Sequence, residues 1–158
     1  MRGAKGLRCP NDVMQQDQLA KARELLQGQE VAPKDALKAI AGMEMTTLEM
    51  LAGLLPSPDD AQAKRSVKKN AKKLTRDSQL RREYIQDFQE RAYAALTQEL
   101  ALLQQNYVFP NNYRGGIWLE GALKAGDLGD ARGLLDTMTN EAQRGQFGVV
   151  PRQQGQNN

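Results

Sequence analysis

The chain has no histidine and one cysteine, Cys9, and only 5% of its residues are aromatic. Without histidine there is no ready general base at neutral pH. One thiol cannot close an internal disulfide, which excludes a stapled secreted scaffold, and a zinc-finger type of site is excluded for want of ligands. No window approaches ~18 consecutive apolar residues, and residues 1–20 carry no apolar run of the signal-peptide type. The chain is therefore expected to be soluble and cytoplasmic, with no membrane partner. The phosphate-loop pattern G-x-x-x-x-G-K-[ST] and the dinucleotide pattern G-x-G-x-x-G are both missing. Acid pairs such as Asp59–Asp60 and Asp127–Asp130 read as helix caps and corners before they read as metal ligands. The expectation is a protein that is not an enzyme, with no catalytic residue, no metal and no cofactor.

What is present favours helices. The 158 residues fit one domain with tails, and the 40% hydrophobic fraction rests on Leu, Ala, Val and Met. Small residues and Leu, with few β-branched side chains, prefer helix to strand. The predicted fold class is all-α.

Charge is unevenly placed. The net charge is +3, from 22 Lys and Arg against 19 acids. Seven of those cations sit in residues 61–76, AQAKRSVKKNAKKLTR, which contain no acid. That leaves 15 cations against 19 acids, a remainder of −4. A basic patch on an otherwise acidic molecule points to a polyanionic partner. Lys64, Arg65, Lys68, Lys69, Lys72, Lys73 and Arg76 fall in pairs repeating every four residues. At ~100° per residue a helix gathers them on one half of its surface. Ala63, Val67, Ala71 and Leu74 then form an apolar stripe opposite. Like charges four apart destabilise a helix by a few tenths of a kcal/mol each, so packing or an anionic partner must offset them. Phosphates would be that partner, with Asn70 the one residue of the run suited to a bidentate base contact. A solvated charged face, or an acidic protein surface as partner, are the alternatives. No bulky face suits this helix to a membrane surface.

Five segments follow in chain order. Residues 1–10 read as a flexible basic arm. Residues 11–57 read as a small helical unit: a helix from Asn11 to Gln27, a second from Pro33 ended by Gly42, and a third capped by Thr46 or Thr47. Ala36, Leu37, Ile40 and Ala41, and then Leu48, Leu51 and Leu54 or Leu55, are its expected buried sets. Residues 58–107 hold the basic helix and, after a break with Asp77 as new cap, a long helix from Ser78 to about Tyr107. Leu80, Tyr84, Phe88, Leu96, Leu100 and Leu103 mark its apolar stripe. A rod of ~45 Å is long for a core of this size, so the stripe suits oligomerisation; packing by its own chain is the other reading. Residues 111–145 read as an αα-hairpin turning at Gly126-Asp127, with Trp118 as its core anchor. Residues 146–158 are polar and expected to be disordered.

Two stretches, MTTLEMLAGLLPSPDDAQAKRSVKKNAKKL and VKKNAKKLTRDSQLRREYI, resemble the small terminase subunits of tailed phages. The likeness runs over residues 45–86, through an M-T-x-L-E-x-L segment, an Asp-containing turn and an Ala/Lys-rich helix before a polar break. It implies a non-catalytic DNA-recognition component of a packaging machine, forming a homo-oligomer and partnered with a large ATPase–nuclease subunit in a bacterial host. The expected function is therefore nucleic-acid binding, with double-stranded DNA foremost. The alternative is a structural, adaptor or scaffolding protein whose long helix and C-terminal hairpin bind protein partners.

Overall fold

A computed structural model describes residues 33–56 and 58–153, and the predicted basic arm and first helix lie outside the described residues. The fold is all-α, as composition suggested. Its helices are α1 (Pro33–Gly53), α2 (Ala61–Lys69), α3 (Ala71–Arg76), α4 (Ser78–Asn106), α5 (Gly115–Ala125) and α6 (Leu128–Gln143). The strands β1 (Tyr107–Val108) and β2 (Val150–Pro151) form one antiparallel pair. The chain divides into two compact units, residues 1–92 and 93–158, and α4 supplies residues to both. No helix among the described residues is long and apolar enough to cross a membrane.

In the first unit α1 is one continuous helix, where two were expected. Gly42 stands in its interior with open space around it, and an exposed helical glycine costs only about 1 kcal/mol against alanine. Thr46 and Thr47 do not cap a new helix. Their hydroxyls donate to the carbonyls of Gly42 at 3.0 Å and Met43 at 3.1 Å, one turn back. Leu48, Leu51 and Leu55 are buried as their spacing predicts, whereas Leu37 is 67% exposed. From the following helices, Val67, Leu74, Ile85 and Phe88 complete this core.

The second unit is built on the expected αα-hairpin. Gly126 ends α5 with φ 77°, a left-handed conformation that glycine adopts without cost. Asp127 caps α6 by accepting the amide of Asp130 at 3.2 Å. Leu119, Leu123, Leu128, Leu135 and Met138 fill the seam, with Leu96 and Leu103 of α4 also buried in this unit. Two expectations fail here. Trp118 is 59% exposed, because Leu119 beside it takes the core position. Residues 146–153, expected as part of a disordered tail, include β2 at Val150–Pro151. Tyr107 pairs with Pro151 and Val108 with Val150. Val149 is buried, and the Arg152 guanidinium donates to the Gln104 carbonyl at 3.0 Å, fastening this segment to the end of α4.

The stripe assigned to oligomerisation is largely used within the chain. Phe88, Leu96 and Leu103 are buried, while Leu80, Tyr84 and Leu100 are half-buried. Fully burying one such side chain contributes about 1.5–3 kcal/mol, so exposing them to a second copy would cost each unit its core.

Candidate nucleic-acid interface

The basic run is not one helix. It is α2 and α3, parted at Asn70, whose backbone lies at φ −104° and ψ 15°. The break spans a single residue and keeps its hydrogen bonds: the Asn70 amide donates to the Ser66 carbonyl at 2.9 Å, and Leu74 to Asn70 at 2.8 Å. What holds the bend is the Asn70 side chain. Its Nδ2 donates to the Ser66 carbonyl and to the Tyr84 hydroxyl, each at 3.0 Å. The Nδ2 of the amide expected to read a base is thus engaged inside the unit, while Asn70 itself lies on the lining of the basic cleft.

Val67 and Leu74 anchor the two helices, one each, and α3 packs against α1. They stand two turns apart on one side of the run, which turns the cations outward. Arg65, Lys68, Lys69, Lys72, Lys73 and Arg76 are exposed. Among the described residues none of these six belongs to an ion pair. Lys64 is set apart: it is half-buried, and its Nζ donates to the Leu55 carbonyl at 3.3 Å. The structure brings Lys69, Lys72, Lys73 and Arg76 around one open cleft of about 830 Å³, with Asn70, Asp77, Ser78 and Gln79 also on its lining. It does not bring Lys64, Arg65 or Lys68 into that cleft.

Three acids near this surface, Asp60, Asp77 and Asp87, are already engaged. Asp60 and Asp87 both pair with Arg91, at 2.8 and 2.9 Å, and these bonds hold the Arg91 guanidinium above its ordinary pKa, the Asp87 hydrogen bond most. Asp77 caps α4 by accepting the Leu80 amide at 3.0 Å, as its position suggested. The one carboxylate on the cleft lining thus also caps a helix terminus.

Sequence reasoning passed over the pair that fixes the end of α3. Arg81 and Glu44 are both buried and joined at 2.7 Å between Nε and Oε1. The Arg81 Nη1 also donates to the carbonyls of Leu74 at 2.9 Å and Thr75 at 3.2 Å, closing off the last turn of α3. A buried cation on those carbonyls also suits the negative end of the helix dipole. In sequence Arg81 is one of two adjacent arginines, and Glu44 is one of two acids in a Met-rich stretch. Neither carries a pattern that separates a buried ion pair from solvated charges.

Electrostatically the site is a cationic cleft with exposed ammonium and guanidinium heads. It can neutralise a closely spaced row of anions. Among the described residues no group of acids, cysteines or histidines is arranged to hold a metal. The chain shows no significant match to a family model, a curated protein or a solved structure.

Proposed function

We propose that this protein is a non-enzymatic nucleic-acid-binding assembly protein that grips double-stranded DNA by its phosphates. One observation carries the reading: six exposed cations in a twelve-residue span lack a carboxylate partner among the described residues, and four of them line one cleft. A surface of that kind positions a protein on a duplex and carries no direct sequence information. The likeness over residues 45–86 extends the proposal to the DNA-recognition role of a phage packaging machine, with self-association and a large ATPase–nuclease subunit as partner. Self-association would use surfaces other than Phe88, Leu96 and Leu103, which the fold already covers.

The test is a binding titration on a labelled duplex from ~50 to ~200 mM salt, comparing wild type with Lys69→Ala/Lys72→Ala/Lys73→Ala/Arg76→Ala. Each phosphate contact contributes about −0.9 to the slope of log K against log salt, so losing four should flatten it by roughly 3.6. Unchanged affinity and slope in the fourfold variant would rule out the cleft as the DNA-binding surface. A second reading, an adaptor that binds protein partners, draws on a different feature in the C-terminal unit.

A further inference from the structure

A second cavity, of about 670 Å³, lies wholly within the C-terminal unit, with Tyr113, Arg114, Trp118, Leu134, Met138 and Phe147 on its lining. Trp118 is 59% and Phe147 69% exposed, so two large rings stand in water at its edge. Phe147 also has φ 55°, between Gly145 at 65° and Gly148 at 79°. A left-handed backbone costs a residue other than glycine about 1–3 kcal/mol, and a ring this exposed regains little by burial. The fold by itself would be better served by a third glycine. Phenylalanine at 147 therefore serves something other than the fold.

The Tyr113 part of the lining is closely packed. The Tyr113 ring covers Gly115 so closely that a Cβ there would lie 2.7 Å from its Cε2. The Phe109 ring packs on it at 5.0 Å, and its hydroxyl donates to Glu141 at 2.5 Å. That bond engages the one carboxylate on the lining. Arg114, by contrast, is exposed, and its side chain makes no hydrogen bond or ion pair among the described residues. The cavity thus offers apolar walls, an adaptable Met138 on its lining and an Arg114 guanidinium with no hydrogen bond or ion pair of its own among the described residues, while the Glu141 carboxylate is held by the Tyr113 hydroxyl.

We propose that this cavity docks a peptide segment of a partner protein, one that presents a bulky apolar side chain next to a carboxylate. The Arg114 guanidinium, unpartnered among the described residues, selects the carboxylate, and the aromatic walls select the apolar anchor. Nucleic acid fits poorly, because its affinity draws on many phosphate contacts and this lining holds one arginine. A free small acid fits poorly as well. Small-molecule sites bury about 70–90% of the ligand, and two walls here are more than half exposed. The proposal does not rest on the DNA reading, which concerns the other unit.

The experiment pans the full chain against a random heptapeptide library. Recovered peptides are then titrated by fluorescence, since Trp118 is the chain's one tryptophan. The expected peptides carry Phe, Trp or Leu within two positions of Asp or Glu, and they shift Trp118 emission to shorter wavelength. Trp118→Ala should weaken a labelled peptide about thirtyfold, as loss of an aromatic anchor does. Arg114→Ala should weaken the acidic peptide and leave its amide counterpart unchanged. Phe147→Gly should abolish binding while the thermal midpoint holds or rises. Recovery of no peptides, or of basic ones, overturns the proposal, and so does undiminished binding by Trp118→Ala. A marked fall in the midpoint of Phe147→Gly would show that the ring is structural and overturns it too. An oligo(dT) that displaces the peptide would make this a nucleic-acid surface. N-acetylphenylalanine binding as tightly as the peptide would make it a small-acid site.

Discussion

Replacing Glu44 by alanine strips the partner from a guanidinium that cannot reach water. Arg81 is 4% exposed and Glu44 2%, and their contact is 2.7 Å. Removing one member of such a buried pair costs about 3–5 kcal/mol, because the charge left behind keeps its desolvation penalty. Arg81 retains its bonds to the Leu74 and Thr75 carbonyls, which partly solvate the charge and place the expected loss near ~3 kcal/mol. In a unit of this size each kcal/mol moves the thermal midpoint by about 4–8 °C, so Glu44→Ala should melt roughly 12–24 °C lower. Urea titration followed by far-ultraviolet circular dichroism measures it. Arg81→Ala has a different signature. Arg82 lies 4.0 Å from the second Glu44 oxygen and is 53% exposed, so it can swing in to meet the carboxylate. The cost then comes chiefly from the two uncapped carbonyls, and the double variant should lose less than the two single losses added together. A loss below about 1 kcal/mol for Glu44→Ala, the range of an exposed pair, would refute the reasoning.

Two further predictions concern the C-terminal unit. Gly115→Ala should destabilise by about 1–3 kcal/mol, because the new methyl displaces the Tyr113 ring, whereas Gly121→Ala, in open space, should stabilise by up to ~1 kcal/mol; chemical denaturation of both variants checks the opposite signs. The Tyr113 hydroxyl titrates above the ordinary phenol value of 10.0, first because burial disfavours the phenolate and then because it donates to Glu141. The unfolded chain releases this proton at the ordinary value, so the contribution is whole below pH 10.0 and is lost as pH rises past it. Melts of wild type and Tyr113→Phe should therefore differ below that pH and converge above it; a constant difference would disprove the linkage.

The elements legible in the sequence were those with local signals. The Leu80–Leu103 stripe gave α4 its bounds almost to the residue, and Gly126-Asp127 placed the hairpin corner, since a left-handed stop and an Asp cap act within one turn. The cations of residues 64–76 were visible as a face, and the exposure of all but Lys64 follows from Val67 and Leu74 pointing the other way. What stayed hidden depends on distant partners. The β1–β2 pair joins residues 107–108 to 150–151, and two-residue strands have no period to detect. Arg81 reaches Glu44 across 37 residues, so its burial is decided by tertiary packing. Trp118 misled because its neighbours Ile117 and Leu119 are also apolar, and periodicity cannot choose among three adjacent side chains which one turns inward. Gly42 misled for the opposite reason: its propensity cost is small beside the burial of Leu48 and Leu51 in the same helix.

The break at Asn70 separates two accounts of the basic surface, one in which only charge density matters and one in which the cleft does. Asn70→Ala leaves every cation in place. It replaces a poor helix former by the best one and removes the bond to Tyr84, so α2 and α3 should fuse into one straight helix with a small gain in ellipticity. If density alone binds DNA, affinity and salt slope stay as they are. If the bend sets Lys69 against Lys72, Lys73 and Arg76, as their shared cleft suggests, contacts are lost at constant net charge. The slope should then flatten by about 0.9 per contact. Tyr84→Phe offers an independent route to the same result. It deletes only the hydroxyl that receives the Asn70 amide at 3.0 Å and substitutes no residue of the run. Both variants should move DNA affinity in the same direction, with Tyr84→Phe the milder because Asn70 keeps its bond to Ser66. Affinity and slope that match wild type in both would reduce the surface to a plain cationic face, with Asn70 serving the fold alone.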